Sequence, residues 1–184
     1  DYRTFAEIMD SAMKEWGILP EDTGYVEGRL ISDTKEIVFD PDHARFSIHT
    51  PYCGYFSGAP EEEISLSDKI CVEVENERIT LALIAKDEIK MDGASEYILT
   101  DETTFGKGPE LMGIPFAAVE FKGKLYAETL EGCIRVKAEN AKLEVLNPIG
   151  EVIAEMNGEK TGDEIRFAMD GSVPGIQYRL VVGE

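Results

Sequence analysis

From Pro20 onward the chain repeats one rhythm: a short run with apolar residues at every second position, then a turn signal, then another short run. Period-2 alternation places successive side chains on opposite faces of a strand. Arg29 to Ser32, Glu36 to Asp40 and Arg45 to Thr50 are the first such runs, with Asp40-Pro41-Asp42 as a turn between the second and third. In the third, Phe46 and Ile48 point one way while Arg45, Ser47 and His49 point the other. Lys69 to Glu75 and Ile79 to Ala85 follow, and Asn76-Glu77 between them predicts a tight hairpin. After Tyr97 to Thr100 a loop runs from Gly106 to Pro115. A regular ladder then closes the chain: Ala117 to Phe121, Lys124 to Thr129, Gly132 to Val136, Lys142 to Leu146, Glu151 to Met156, Glu164 to Phe167 and Gln177 to Val182. Roughly a dozen short strands at this spacing predict a mostly β fold, an antiparallel β-sandwich or jelly roll.

The first segment has a different period. Phe5, Ile8, Met9, Ala12, Met13 and Trp16 form one apolar stripe at helical spacing, and Gly17 and Pro20 supply the stop. Residues 1–19 are therefore read as an N-terminal amphipathic helix or connector, and residues 20–184 as the β-sandwich. Such a stripe needs cover, from this β domain or from a neighbouring one, and Trp16 belongs to it as a core or docking residue. A sub-boundary at residues 106–115 is one reading of the long loop; a continuous sandwich is the other.

Thirty-seven acids against 18 bases give a net charge of −19. That surface repels phosphate backbones and anionic bilayers, so nucleic acid and membrane are not expected partners, while neutral glycans remain compatible. No apolar run reaches the about 18 residues of a membrane helix. Cys53, Cys71 and Cys133 are odd in number and far apart, which gives no disulfide framework and no CxxC pair. Cys71 reads as a small buried hydrophobe. The sequence begins at Asp1 without an initiator Met or signal peptide, as expected of an excised or processed piece.

Motifs for chemistry are sparse. GxSxG, a P-loop and a dinucleotide fingerprint are missing, and Gly106-Lys107-Gly108 leads into Pro109 rather than a helix. His43 and His49 have no partners at metal-ligand spacing beyond Asp40 and Asp42 beside His43. Asp40 and Asp42 admit a structural calcium, against the simpler reading of a turn with exposed acids. No catalytic carboxylate pair can be nominated among so many acids, and Glu61-Glu62-Glu63 reads as a charged loop. Sugar rings stack their C–H faces on aromatic planes, so the candidate carbohydrate-binding residues are Tyr52, Tyr55 and Phe56 beside Gly54 and Gly58, with Phe105 and Phe116 flanking the long loop. Tyr97, Tyr126 and Tyr178 sit inside strands and read as core.

One stretch has specific wording. Ser32-Asp33-Thr34-Lys35-Glu36-Ile37-Val38-Phe39-Asp40, followed by Ala44-Arg45-Phe46-Ser47-Ile48-His49-Thr50-Pro51, resembles a strand-turn-strand segment of the β domains that follow the (β/α)-barrel of glycoside hydrolases. Lys35 stands where that pattern has Gly, and Tyr52 where it has Arg. The resemblance implies a C-terminal β-sandwich accessory domain, with the catalytic residues of the barrel upstream of Asp1 and an extracellular or cell-surface location through the parent enzyme. It carries no catalytic residue onto this chain.

Three functional readings follow. The chain is expected to be a non-catalytic accessory domain of a polysaccharide-degrading hydrolase, with the parent catalytic domain as partner and a plant polysaccharide as candidate ligand, and without a cofactor. The alternatives are a structural or protein-interaction β domain with no glycan ligand, and a small self-contained glycosidase.

Overall fold

The computed structural model describes residues 2–60, 63–88, 90–101, 105–106, 126–127, 129–173, 175 and 177–183. The amphipathic period of the first segment forms α1 (Tyr2–Glu15). Gly17 ends it at φ +69°, with Gly17 N–H donating to the Lys14 carbonyl and Ile18 N–H to that of Met13, the paired bonds of a Schellman stop. A meander follows: β1 (Gly24–Val26), β2 (Arg29–Ile31), β3 (Ile37–Asp40), β4 (Arg45–His49) and β5 (Cys53–Gly58). Next come β6 (Ile64–Ser65), β7 (Ile70–Val74), β8 (Ile79–Ala85), a 3-10 turn (Met91–Gly93) and β9 (Glu96–Asp101). β10 (Phe105–Gly106) pairs only with β11 (Tyr126–Ala127) among the described residues. The chain closes with β12 (Glu131–Lys137), β13 (Asn140–Leu146), β14 (Val152–Met156), β15 (Glu159–Thr161), β16 (Glu164–Asp170) and β17 (Gln177–Gly183).

These strands build two antiparallel sheets. The long sheet runs β1-β2-β3-β4-β5-β8-β9-β17-β13-β14, and the short sheet β15-β16-β12-β7-β6. The fold is mostly β and sandwich-like, as the turn spacing predicts. Register explains the core. Gly54, Leu83, Leu99, Tyr178 and Val145 are successive partners across the long sheet. Ile64, Val72, Ile134 and Phe167 are successive partners across the short one. Both rows belong to one apolar cluster, so the two sheets bury these faces against each other. Tyr97 and Tyr178 are core, as expected, and each places its hydroxyl on a carbonyl: Tyr97 on Met91 (2.7 Å) and Ala94 (2.9 Å), Tyr178 on Gly175 (2.5 Å).

The expected β7–β8 hairpin does not form. β7 lies in the short sheet beside β12, whereas β8 lies in the long sheet between β5 and β9. Asn76 is not a turn residue facing water. It is buried, donates to the Thr129 carbonyl (3.0 Å) and accepts from Glu131 N–H (2.9 Å), tying the crossover to the start of β12. Alternation fixes which residues of a strand share a face, not which strand lies beside it.

The short sheet covers only part of the long one. Buried apolar side chains come from β5, β8, β9, β13 and β17 of the long sheet, and none from β1 to β4. Strands β1 to β4 therefore extend past the sandwich as a wing with both faces open to further cover.

Candidate functional site

The wing distributes its side chains the reverse of the usual way. Phe56 of β5 is buried in the core, so its cross-strand partners Ser47, then Val38, then Ile31 lie on the core-side face of the sheet. Arg45 and Asp40, opposite each other on β4 and β3, share that face. The apolar rows point away from the sandwich. Tyr25, Leu30, Phe39 and Phe46 are consecutive partners on this outer face, as are Ile37, Ile48 and Tyr55. Leu30 is 44% exposed, Ile37 42% and Phe39 40%. Phe46 and Tyr55 meet edge to face with ring centroids 5.9 Å apart. Contiguous apolar surface of this kind marks a place where another body sits.

The helix shows the same inversion. Asp10 and Lys14, paired at 2.7 Å and nearly buried, form the side of α1 that meets β1. Tyr25 N–H donates to Asp10 Oδ1 (2.9 Å), and Lys14 Nζ donates to the Tyr25 carbonyl (3.4 Å). The apolar stripe faces out: Phe5 is 68% exposed and Trp16 71%, with Ile8 and Met9 also exposed. Of the two roles expected for Trp16, core is excluded and docking remains.

Where the short sheet stops, the core-side face of the wing becomes the wall of a cleft of about 210 Å³. Val38, Phe56 and Ile64 supply apolar lining; Arg29, Asp40, Arg45, Glu63, Ser47 and Ser65 supply the polar groups. Several of these are held in place by neighbours. Arg45 Nε donates to the Ala59 carbonyl (2.7 Å). Glu63 pairs with Arg135. The Asp40 carboxylate meets His43 Nδ1 at 2.9 and 3.0 Å and accepts from His43 N–H at 3.1 Å. Burial pushes the Asp40 carboxyl upward, but the His43 hydrogen bonds outweigh it and leave its pKa below the ordinary value.

The structure separates the aromatic residues selected from sequence. Tyr52, Tyr55 and Phe56 do not form one strip. Tyr52 is exposed in the turn before β5, Tyr55 lies on the outer face of β5, and Phe56 points the opposite way into the core and the cleft. The run from Cys53 to Gly58 is a strand, and strand geometry forces adjacent residues onto opposite faces. Phe105 lies on β10, while Phe116 lies outside the described residues, as do Glu61, Glu62 and residues 107–115 of the proposed sub-boundary. Sequence reading missed Arg29, Arg45, Ser47 and Ser65. Their signal was polarity at the inward positions of short strands, visible only once the core-side face is known.

Asp40 closes its turn by capping His43, the turn reading rather than the calcium one. Among the described residues no group of three or more His, Cys, Asp or Glu is placed to hold a metal ion. Cys53, Cys71 and Cys133 are free and half-buried; burial and the neighbouring Glu63 raise the Cys71 thiol above its usual range, away from a reactive thiolate. Comparison with protein-family models, with curated proteins and with solved structures gives no match.

Proposed function

We propose that this chain is a non-catalytic β module that accompanies the catalytic domain of a polysaccharide-degrading glycoside hydrolase and holds that domain against the outer face of its wing. One observation carries the reading: β1 to β5 turn Tyr25, Leu30, Ile37, Phe39, Phe46, Ile48 and Tyr55 away from the chain's own core. A sheet that buries only its own needs would do the opposite. A second copy is a poor occupant, because two bodies of charge −19 repel. The segment that resembles the β domains of barrel glycoside hydrolases, Ser32 to Pro51, is the one that builds this face, through β3 and β4. The exposed stripe of α1 adds Phe5, Ile8 and Trp16 as a second apolar surface for the same partner.

The test pairs binding with activity. A barrel domain encoded in the same gene, expressed as a separate polypeptide, is expected to co-purify with the native chain and to lose it on Ile37→Asp with Phe39→Asp. The chain alone is expected to give no turnover of aryl glycosides. A gene with no barrel coding sequence, or turnover that one Asp or Glu substitution abolishes, overturns the proposal.

A further inference from the structure

We infer that the cleft between the core-side face of β2 to β5 and strand β6 is a binding subsite for one neutral, polyhydroxylated ring of pyranose size. Size sets the first limit. At about 210 Å³ the cleft exceeds the roughly 30 Å³ share of a water molecule several-fold. It falls below the about 300–1,000 Å³ of sites that take larger organic ligands. One ring fits; a chain of rings must continue outside it.

Charge sets the second limit. Arg29 and Arg45 are matched by Asp40 and Glu63, so the lining has no formal net charge, inside a molecule of −19. An anion gains nothing from such a balance and is repelled by the whole, and a cation meets two guanidinium groups. What the balance favours is a ligand that donates and accepts at adjacent positions. Vicinal hydroxyls do this: guanidinium forks donate to two oxygens at once, and carboxylates accept from two. The Ser47 and Ser65 hydroxyls both donate and accept, and Val38, Phe56 and Ile64 offer apolar contact for the C–H face of a ring. The anchoring of Arg45 on Ala59, Asp40 on His43 and Glu63 on Arg135 fixes these groups before any ligand arrives, which lowers the ordering cost of binding. The inference rests on the proposed glycoside hydrolase association only for the choice of probes.

The experiment is an amide-resolved NMR titration of the full chain with the methyl β-glycosides of glucose, xylose, mannose and galactose, and with glucuronate as the charged control. Saturating shifts are expected at Arg29, Val38, Ser47 and Ser65 for at least one neutral sugar, with a Kd of about 1–10 mM for a single ring. Arg29→Ala, at an exposed side chain that tolerates truncation, is expected to weaken that binding about tenfold. Ser47→Ala is a second variant, expected to weaken it less. Absence of saturating shifts at about 100 mM of every neutral sugar, shifts confined to other residues, or tighter binding of glucuronate overturns the inference. Ile37→Asp with Phe39→Asp acts on the other face and is expected to leave sugar binding unchanged. A chain that binds sugar but no barrel domain sinks the docking proposal alone, and the converse result sinks this one alone.

Discussion

The carboxylate of Asp10, on α1, accepts a hydrogen bond of 2.9 Å from the backbone N–H of Tyr25, on β1. The helix is thus held to the sheet edge by its polar side, and the approach is close. A Cβ added at Gly24, which sits at φ +72°, would lie 1.7 Å from Asp10 Oδ1. Asp10→Ala leaves the Tyr25 amide and Lys14 without this partner, a loss of about 1–3 kcal/mol in helix docking. The sandwich core does not depend on it, so opening stays local. The expected outcome is faster proteolytic cleavage between residues 16 and 23 with an unchanged denaturant midpoint for the β domain. A fall in that midpoint matching the docking loss would show that α1 and the sandwich unfold as one unit.

The inverted wing makes a stability prediction that sequence alone would get backwards. Ile37 and Phe39 look like core residues by alternation, yet they face solvent. Ile37→Thr keeps a β-branched side chain on the strand and is expected to change stability by no more than about 0.5 kcal/mol. Leu83, fully buried between the sheets, is expected to lose about 2–5 kcal/mol on truncation to Ala. Urea unfolding of the two variants side by side checks this. A large loss for Ile37→Thr would place that residue in a core within the chain.

The sequence makes the strands of this molecule legible but not their neighbours. Phe46 and Ile48 on one side of β4, and Arg45 and Ser47 on the other, follow directly from period 2. Which side faces the sandwich is set by Ser47 lying opposite Phe56, a pairing decided by long-range register. The same limit separates β7 from β8, because Asn76 looks like a turn residue until Thr129, far along the chain, claims its amide. Tyr55 and Phe56 read as one aromatic patch because β5 is Gly-rich and was not recognised as a strand; once it is one, they must diverge. The cleft was the least legible feature. Its lining joins Arg29 to Ser65 through contact of two sheets, and no local spacing encodes that.

Acid stability has a specific local source at Asp87. Its carboxylate accepts from the Ser95 hydroxyl (2.6 Å), from Glu96 N–H (3.0 Å) and from Ser95 N–H (3.0 Å), closing the connection between β8 and β9. These bonds, led by the Ser95 hydroxyl, hold its pKa at about 2 against 3.8 for the free side chain. The folded value is the lower one, so the charged form favours the folded state. The contribution is present above the unfolded pKa and is lost as pH falls from about 4 to about 2. Asp87→Asn removes that titration. The stability difference between native chain and variant is expected to be flat from about pH 5 to 8 and to shrink below about pH 4, as followed by thermal unfolding. A difference that stays constant down to about pH 2 would remove Asp87 from the account of acid stability.

Gly54 couples the core to the cleft. It lies opposite Leu83 on the inward row of β5, and a Cβ built there would stand 1.9 Å from the backbone carbonyl oxygen of Leu66, just beyond β6. A backbone atom cannot rotate away as a side-chain tip can, so Gly54→Ala must push the segment after β6 outward. Leu66 is fully buried, and its displacement disturbs packing on both sheets. The expected loss is about 3 kcal/mol or more, the upper end of overpacking effects. Because Ser65 and Ile64 of β6 form one wall of the cleft, the same substitution is expected to shift their amide resonances, while those of β13 and β14 stay in place. Gly93→Ala serves as the control, since a Cβ there meets nothing within 4 Å, and its denaturant midpoint is expected to match the native one. Equal midpoints for Gly54→Ala and the native chain would mean that β5 and the segment after β6 do not approach this closely, and the closed wall of the cleft would go with them.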